Sequence, residues 1–413
     1  MARADLLHDD LETFRADARA WLRGHAQPRR GASDWSNGPR DASWDAECEY
    51  FERCRAWQRT LFDGGWAGIS WPVEHGGRGG TPAQSVAFHQ EQERFDVSSG
   101  FLASTIALVG PTLLAHGTPA QCARYLRPLL RGDEVWCQLF SEPGAGSDLA
   151  NVRTSALRAI SPEGQDELVV NGQKVWTSGA RHADFAILLV RTAPDAPKHK
   201  GITYVLVDMT TPGIEVRPLR QITGAAHFNE VFLTDVHVPV ANVVGGVDAG
   251  WRPTRTTLAN ESALIGGSTG MGSDAAALVA LARETRTSGD SVTRQRLAQV
   301  WSREHALGWL RDRVQAELLV GRHPSVDGSV LKVLWSRDRA AKGELALALL
   351  GAGGMLSGDD AARGGFWQTL FLNRFWASIG GGTDEIHRTM IGERALGLPA
   401  EPRVDRDLPF SSL

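Results

Sequence analysis

The run Cys137-Gln138-Leu139-Phe140-Ser141-Glu142-Pro143-Gly144-Ala145-Gly146-Ser147-Asp148 decides how the rest of the chain is read. An apolar stretch, Val135 to Phe140, passes into polar side chains, a proline and two glycines. Pro143 fixes φ and offers no N–H, while Gly144 and Gly146 permit positive φ and close approach of a ligand to the backbone. Ser141, Ser147 and the free amides beside them suit a phosphate or the polar edge of a ring. Taken alone, a Gly-Ala-Gly is more simply a tight surface turn after a strand.

Outward from this run the texture differs on the two sides. Before it, Leu7, Leu11, Phe14, Ala18, Trp21 and Leu22 recur at helical spacing, and the same pattern predicts helices over 44–61, 82–94, 101–116 and 119–130. Gly/Pro-rich loops at 28–40 and 64–80 separate them. After it come short β-rich runs at 168–170, 185–192, 201–208, 214–219 and 231–238, and Asn171-Gly172 reads as a hairpin turn. Strands without intervening helices predict an antiparallel sheet or barrel and exclude a Rossmann domain. From Gly250 the pattern is helical again, over 251–282, 291–319 and 329–350, with a last helix after Thr383. A GxGxxA match, Gly270 to Ala275, falls inside a helical pattern and carries no weight.

The bulk numbers fit this order. A chain of 413 residues has room for two or three domains, and 42% hydrophobic with 22% charged residues is ordinary for a globular protein. A net charge of −4 gives no electrostatic case for nucleic acid. The N-terminus lacks a signal pattern, and Phe101 to Ala115 falls short of the ~20 apolar residues of a membrane span. Cys48, Cys54, Cys122 and Cys137 form no CxxC pair, so reduced thiols in a cytoplasmic protein are expected.

The opening run resembles the flavin-binding signature of the acyl-CoA dehydrogenase family. Gly65-Trp66-Ala67-Gly68-Ile69-Ser70-Trp71-Pro72 to Gly80 resembles its N-terminal loop, and Asn171-Gly172-Gln173-Lys174-Val175-Trp176-Thr177-Ser178-Gly179 its second flavin segment. Phe228-Asn229-Glu230-Val231-Phe232 to Pro239 is similar to the end of its β domain, and Gly380-Gly381-Gly382-Thr383-Asp384-Glu385-Ile386 to Pro399 to its C-terminal signature. The wording looks closest to an actinobacterial branch. The resemblance implies an α+β fold: a helical domain over 1–135, a middle antiparallel β-barrel domain over 136–245, a C-terminal four-helix bundle over 246–400, and a tail over 401–413.

It further implies FAD-dependent α,β-dehydrogenation of an acyl-CoA thioester in a cytoplasmic homodimer or homotetramer. A base takes the α-proton, hydride leaves the β-carbon for flavin N5, and an electron-transfer flavoprotein receives the electrons. By the same resemblance Gln138, Leu139, Phe140 and Ser141 would line the isoalloxazine, and Gly146 and Ser147 would meet the pyrophosphate. Trp176 would pack on the flavin, with Thr177 and Ser178 toward N5. Thr383 and Glu385, with Arg286 and Gln295, would reach FAD across a subunit interface. No metal is expected.

Many family members carry the catalytic glutamate where this chain has Gly381, which has no side chain to accept a proton. The backbone N–H of Gly381 would still help polarise the thioester carbonyl. A second branch, with the isovaleryl- and long-chain enzymes, places its glutamate on a C-terminal-domain helix, and the matching position resembles Glu261. Helical spacing puts Thr257, Leu258, Leu264 and Ile265 beside Glu261, a poor setting for a solvated carboxylate. By itself a glutamate is more often a surface carboxylate. Ser262 stands where the family usually has arginine. Two other readings stay open: a non-catalytic or FAD-sharing subunit of a heterotetramer, and a flavin monooxygenase or carrier-protein thioester dehydrogenase on the same fold.

Overall fold

The computed structural model describes residues 2–30, 34–39, 41, 43–267, 275–319 and 327–413. The GxGxxA run falls almost wholly within 268–274, outside the described residues. The chain divides into two compact units, 1–261 with 401–413, and 262–400.

The first unit opens with helices α1 (Ala2–His25), α2 (Trp44–Asp63), α3 (Pro82–Gln92), α4 (Gly100–His116) and α5 (Pro119–Arg131). Their ends follow from local chemistry. Thr81 with Gln84 and Thr118 with Gln121 form capping boxes, each with proline at the first helical position. Gly132 closes α5 in the left-handed conformation. The helices bury an aromatic core that includes Phe14, Trp57, Trp66 and Phe88. The loop over 64–80 folds under α4, where the Trp71 indole sits on Gly110 so closely that a Cβ there would lie 2.0 Å from the ring.

The middle of the unit is one eight-stranded sheet: β1 (Trp136–Leu139), β2 (Ser155–Ile160), β3 (Asp166–Ser178), β4 (Phe185–Arg191), β5 (Ile202–Asp208), β6 (Ile214–Leu219), β7 (Phe228–Pro239) and β8 (Val243–Val244). The order is β6-β7-β3-β2-β4-β5-β8, with β1 against β4. Most pairs are antiparallel as expected, but β1 runs parallel to β4, and β2 meets β4 in a parallel pairing at Ser155 and Arg191. A parallel pair needs a long crossover, which the chain from 140 to 184 supplies with β2 and β3.

The expected hairpin at Asn171-Gly172 does not form, and β3 runs straight through it. The β3–β7 register shifts between Val170 and Gly172 instead. Asn171 exchanges hydrogen bonds of 2.9 Å with the Asp235 backbone N–H and carboxylate, and a Cβ on Gly172 would lie 2.7 Å from the Thr154 Cα. The Asn-Gly chemistry serves a bulge and a close strand contact in place of a turn.

Helix α6 (Trp251–Gly267) leaves the sheet, and its first turns are held by polar contacts. The Thr257 hydroxyl lies 2.9 Å from that of Thr112 on α4 and 3.3 Å from the Tyr204 hydroxyl on β5, while Thr256 meets His116 at 2.7 Å. In the second unit α7 (Ala275–Glu284), α8 (Ser291–Leu319) and α9 (Asp327–Leu350) pack with the short helices α10 (Phe366–Leu372), α11 (Arg374–Ile379) and α12 (Asp384–Met390). Their core centres on Leu278, Leu281, Leu345, Leu349 and Trp367. Among the described residues, no helix is long and apolar enough to cross a membrane.

Candidate active site

Gln138 is the first polar residue of β1, and its Nε2 donates to the Glu261 Oε2 at 3.4 Å. Its neighbours Leu139 and Phe140 are buried in the hydrophobic core, so their side chains are spent on packing and their backbone is what they present. Phe140 meets Tyr204 edge-on. The Ser141 carbonyl accepts from Val175 N–H at 2.9 Å, which ties the loop after β1 to β3.

That loop is open on its outer side. Pro143, Gly144, Gly146, Ser147 and Asp148 are exposed, and a Cβ built on Gly144 or Gly146 would meet nothing within 4 Å. Neither glycine adopts positive φ. The backbone there is bare and open on its outer side, which is the room an approaching phosphate requires.

Beneath the loop lies a pair for which the sequence reading assigned no role. Lys174 is fully buried, and its ammonium donates to Glu142 Oε1 at 2.7 Å and to the Phe140 carbonyl at 3.2 Å. Glu142 also accepts from Arg153 N–H at 2.6 Å and Thr154 N–H at 2.9 Å. Burial works to raise the Glu142 carboxyl, but Lys174 and these donors outweigh it and hold the group below its ordinary value. Burial lowers the Lys174 ammonium to about 8, against the pull of Glu142. The usable signal was a lysine inside a strand otherwise rich in β-formers.

At the end of β3 the register shifts once more, between Lys174 and Thr177. The extra residue throws Trp176 outward with φ 60°, 61% exposed, with Phe228 edge-on to its ring. Positive φ is strained for so bulky a side chain and points to a constraint beyond packing. Thr177 points the other way: it is 1% exposed and its hydroxyl finds no partner among the described residues. Ser178 is half-buried.

Glu261 closes the first unit at a half-buried place on α6. Burial raises its carboxyl above the ordinary value, against the opposing Gln138 hydrogen bond. The side chains of Ser262, Leu264 and Ile265 lie outside the described residues.

In the second unit, Gly381 has φ 67° and Gly382 φ 91°. The buried His387 takes the Gly381 carbonyl at 2.9 Å and the Ser329 hydroxyl at 3.1 Å. Thr383 caps α12, its hydroxyl accepting from Ile386 N–H at 3.3 Å, and exposed Glu385 pairs with Arg388. Lys332 and Ser336 both donate to Asp384 beneath them. Arg286, at φ 58° after α7, and Gln295 on α8 are both exposed, and neither belongs to the turn that carries Gly381. Among the described residues no cluster of side chains suits a metal ion.

Comparison with known proteins gives the family of the chain. Models of the acyl-CoA dehydrogenase N-terminal, middle and C-terminal domains match residues 8–133, 137–236 and 248–396 in order. A Mycobacterium tuberculosis protein named acyl-CoA dehydrogenase IpdE1 is 39% identical over 402 residues, covering 95% of this chain and 99% of that one. The chain belongs to the acyl-CoA dehydrogenase family.

Acyl-CoA dehydrogenase FadE34 of the same organism is 44% identical over 348 residues, which cover 83% of this chain and 46% of FadE34. Among solved structures, one titled "Tcur3481-Tcur3483 steroid ACAD" matches with TM-score 0.75 and 28% identity over 95% of this chain and 98% of its own. The ChsE4-ChsE5 complex from Mycobacterium tuberculosis matches with TM-score 0.72 and 28% identity, over 95% and 98%. The acyl-CoA dehydrogenase described here is therefore an oxidoreductase whose cofactor is FAD. The open cradle at Gly144 and Gly146 and the outward Trp176 fit such a group.

Proposed function

We propose that this enzyme oxidises an acyl-CoA thioester to its α,β-unsaturated product with Glu261 as the base. When bound, FAD supplies the hydride acceptor. The observation that carries the reading is Glu261 itself: a half-buried carboxylate beside Gln138 of β1, raised by burial, with no cation paired to it among the described residues. Raising a carboxylate makes it a stronger base, which is the direction that abstraction of a weakly acidic α-proton requires. Gln138 would orient it. Ser141, Ser178 and the backbone at 138–140 would face the flavin ring, Trp176 would cover it, and Gly146 and Ser147 would take the pyrophosphate. With its side chain turned inward, Thr177 would contribute backbone only. Gly381 has no carboxylate to offer, which leaves the base to Glu261; a backbone role remains for Gly381, and cofactor roles for Thr383, Glu385, Arg286 and Gln295 rest on resemblance alone.

On this reading electrons leave to an electron-transfer flavoprotein, and four unpaired thiols suit a cytoplasmic setting. The similarity to a structure titled as a steroid enzyme puts bulky acyl thioesters first among substrates to test. The test is anaerobic flavin bleaching by short, branched, long-chain, aromatic and sterol side-chain acyl-CoAs. Glu261→Gln should stay yellow and lose at least about 10²–10⁴-fold in bleaching rate. Near-normal turnover in that variant would remove Glu261 from the role.

A second reading is favoured by two matching structures, whose titles name paired proteins. This chain would then work with a different subunit. Chain expressed alone that is monomeric and colourless, and that gains flavin only with a second subunit, would support it.

A further inference from the structure

The mechanism leaves the 401–413 segment without a task, yet it packs on the first unit at a particular place. Phe410 is buried, and its backbone N–H donates to the Ala196 carbonyl at 2.9 Å. Ser411 N–H donates to the Pro194 carbonyl at 2.8 Å. The segment thus lies along the β4–β5 loop, residues 192–201.

Two cations join that loop to the cofactor cradle. The Arg191 guanidinium lies 3.9 Å from the Phe410 ring centre and donates to the carbonyls of Ala150 and Lys198, both at 2.6 Å, and Val152 at 3.3 Å. Burial lowers Arg191 to about 10, so it keeps its charge at neutral pH, satisfied by carbonyls below and an aromatic face above. Lys198 bridges Asp148, at 2.9 Å, and Asp405, at 3.3 Å. The Asp148 carboxylate and the carbonyls of Ala150 and Val152 are thus held by two side chains, Lys198 and Arg191, that the 401–413 segment shares or covers.

We propose that the 401–413 segment is a strap that orders the 144–152 loop for FAD, with Phe410, Arg191 and Lys198 as positioning residues. The inference rests on the reading of that loop as the pyrophosphate cradle. Removing the Phe410 ring uncovers Arg191, and the loop then opens more often without losing any atom that would touch the cofactor.

The test uses the full chain, with Phe410→Ala, Lys198→Met and Phe410→Tyr, and with Gly146→Val as a substitution in the cradle itself. Backbone hydrogen exchange over 144–152 is read on FAD-free protein, and FAD affinity by flavin fluorescence. Phe410→Ala should speed exchange there about thirtyfold, the size of one desolvated cation–π contact, and weaken FAD about three- to tenfold, and Phe410→Tyr should restore both. Exchange that stays at the wild-type rate overturns the strap. Faster exchange with unchanged FAD affinity overturns its role toward the cofactor, provided that Gly146→Val weakens FAD. If Gly146→Val also leaves FAD affinity intact, the cradle reading is at fault and the strap falls with it.

Discussion

Lys174→Met removes the cation that contacts Glu142 in a place where solvent cannot replace it. Glu142 keeps the amide donors of Arg153 and Thr154 but loses the ammonium at 2.7 Å, and the Phe140 carbonyl loses its donor as well. Breaking a buried pair from one side costs about 3–5 kcal/mol, because the remaining charge stays desolvated. The two amide donors argue for the lower end of that range. A large domain loses roughly 2 °C in melting temperature per kcal/mol, so FAD-free Lys174→Met should melt about 6 °C lower. The melt to follow is the transition of the first unit, since a chain of two units need not unfold in one step. FAD affinity should fall too, because Glu142 lies between Ser141 and Gly144. The double variant Lys174→Met/Glu142→Gln removes the stranded charge and should recover part of the loss, with a coupling of about 1–3 kcal/mol. A single variant that melts with the wild type and binds FAD equally well would show that the pair is not what holds the loop.

Trp176→Asn should relieve the strain of a bulky residue at φ 60°, raising FAD-free stability by about 1 kcal/mol, while FAD binds roughly three- to tenfold more weakly for want of the ring. Thermal melts and fluorescence titration read the two effects separately; unchanged FAD affinity would place Trp176 outside the site. Glu261 predicts a pH signature. Its folded carboxyl is raised, so its contribution to stability is full below the unfolded value, near 4.3, and is lost as pH rises through the folded value. Glu261→Gln escapes that loss. Its stability, followed by melting temperature, should gain on wild type as pH rises above about 4.3, by about 1.4 kcal/mol for each pH unit separating the folded and unfolded values. A difference that stays flat with pH would mean the carboxylate is not desolvated.

Much of the fold was legible because helices announce themselves by period. Repeating apolar positions outlined α8 over the same residues, Ser291–Leu319, that the structure gives it. The sheet was harder, because its decisive features are contacts between distant strands. Asn171-Gly172 has turn chemistry, but Asp235, 64 residues away, takes up the asparagine and makes a bulge. Likewise β1 lies parallel to β4 for reasons of topology that no local window contains. At the site, helical spacing predicted that Glu261 would not face bulk water, and family resemblance pointed to Gln138; their meeting across 123 residues is a tertiary fact. The left-handed Trp176 had no local signal at all, since its sequence reads as ordinary strand.

These misses share a physical cause. On the proposed reading, the groups that face the cofactor are held in poor local arrangements: an outward tryptophan, an open Gly-Ala-Gly, and a carboxylate with no cation paired to it among the described residues. Such arrangements persist only where surrounding structure over-determines them. In the first unit that support is buried and electrostatic, with Lys174 and Glu142 under one end of the 141–152 loop and Arg191 under the other. The family signature therefore contains two kinds of residue. Gly144, Gly146 and Ser147 leave room, while Glu142 and Lys174 hold the floor that keeps the room open. Substituting the first kind should alter binding with little effect on melting, and substituting the second should alter both together.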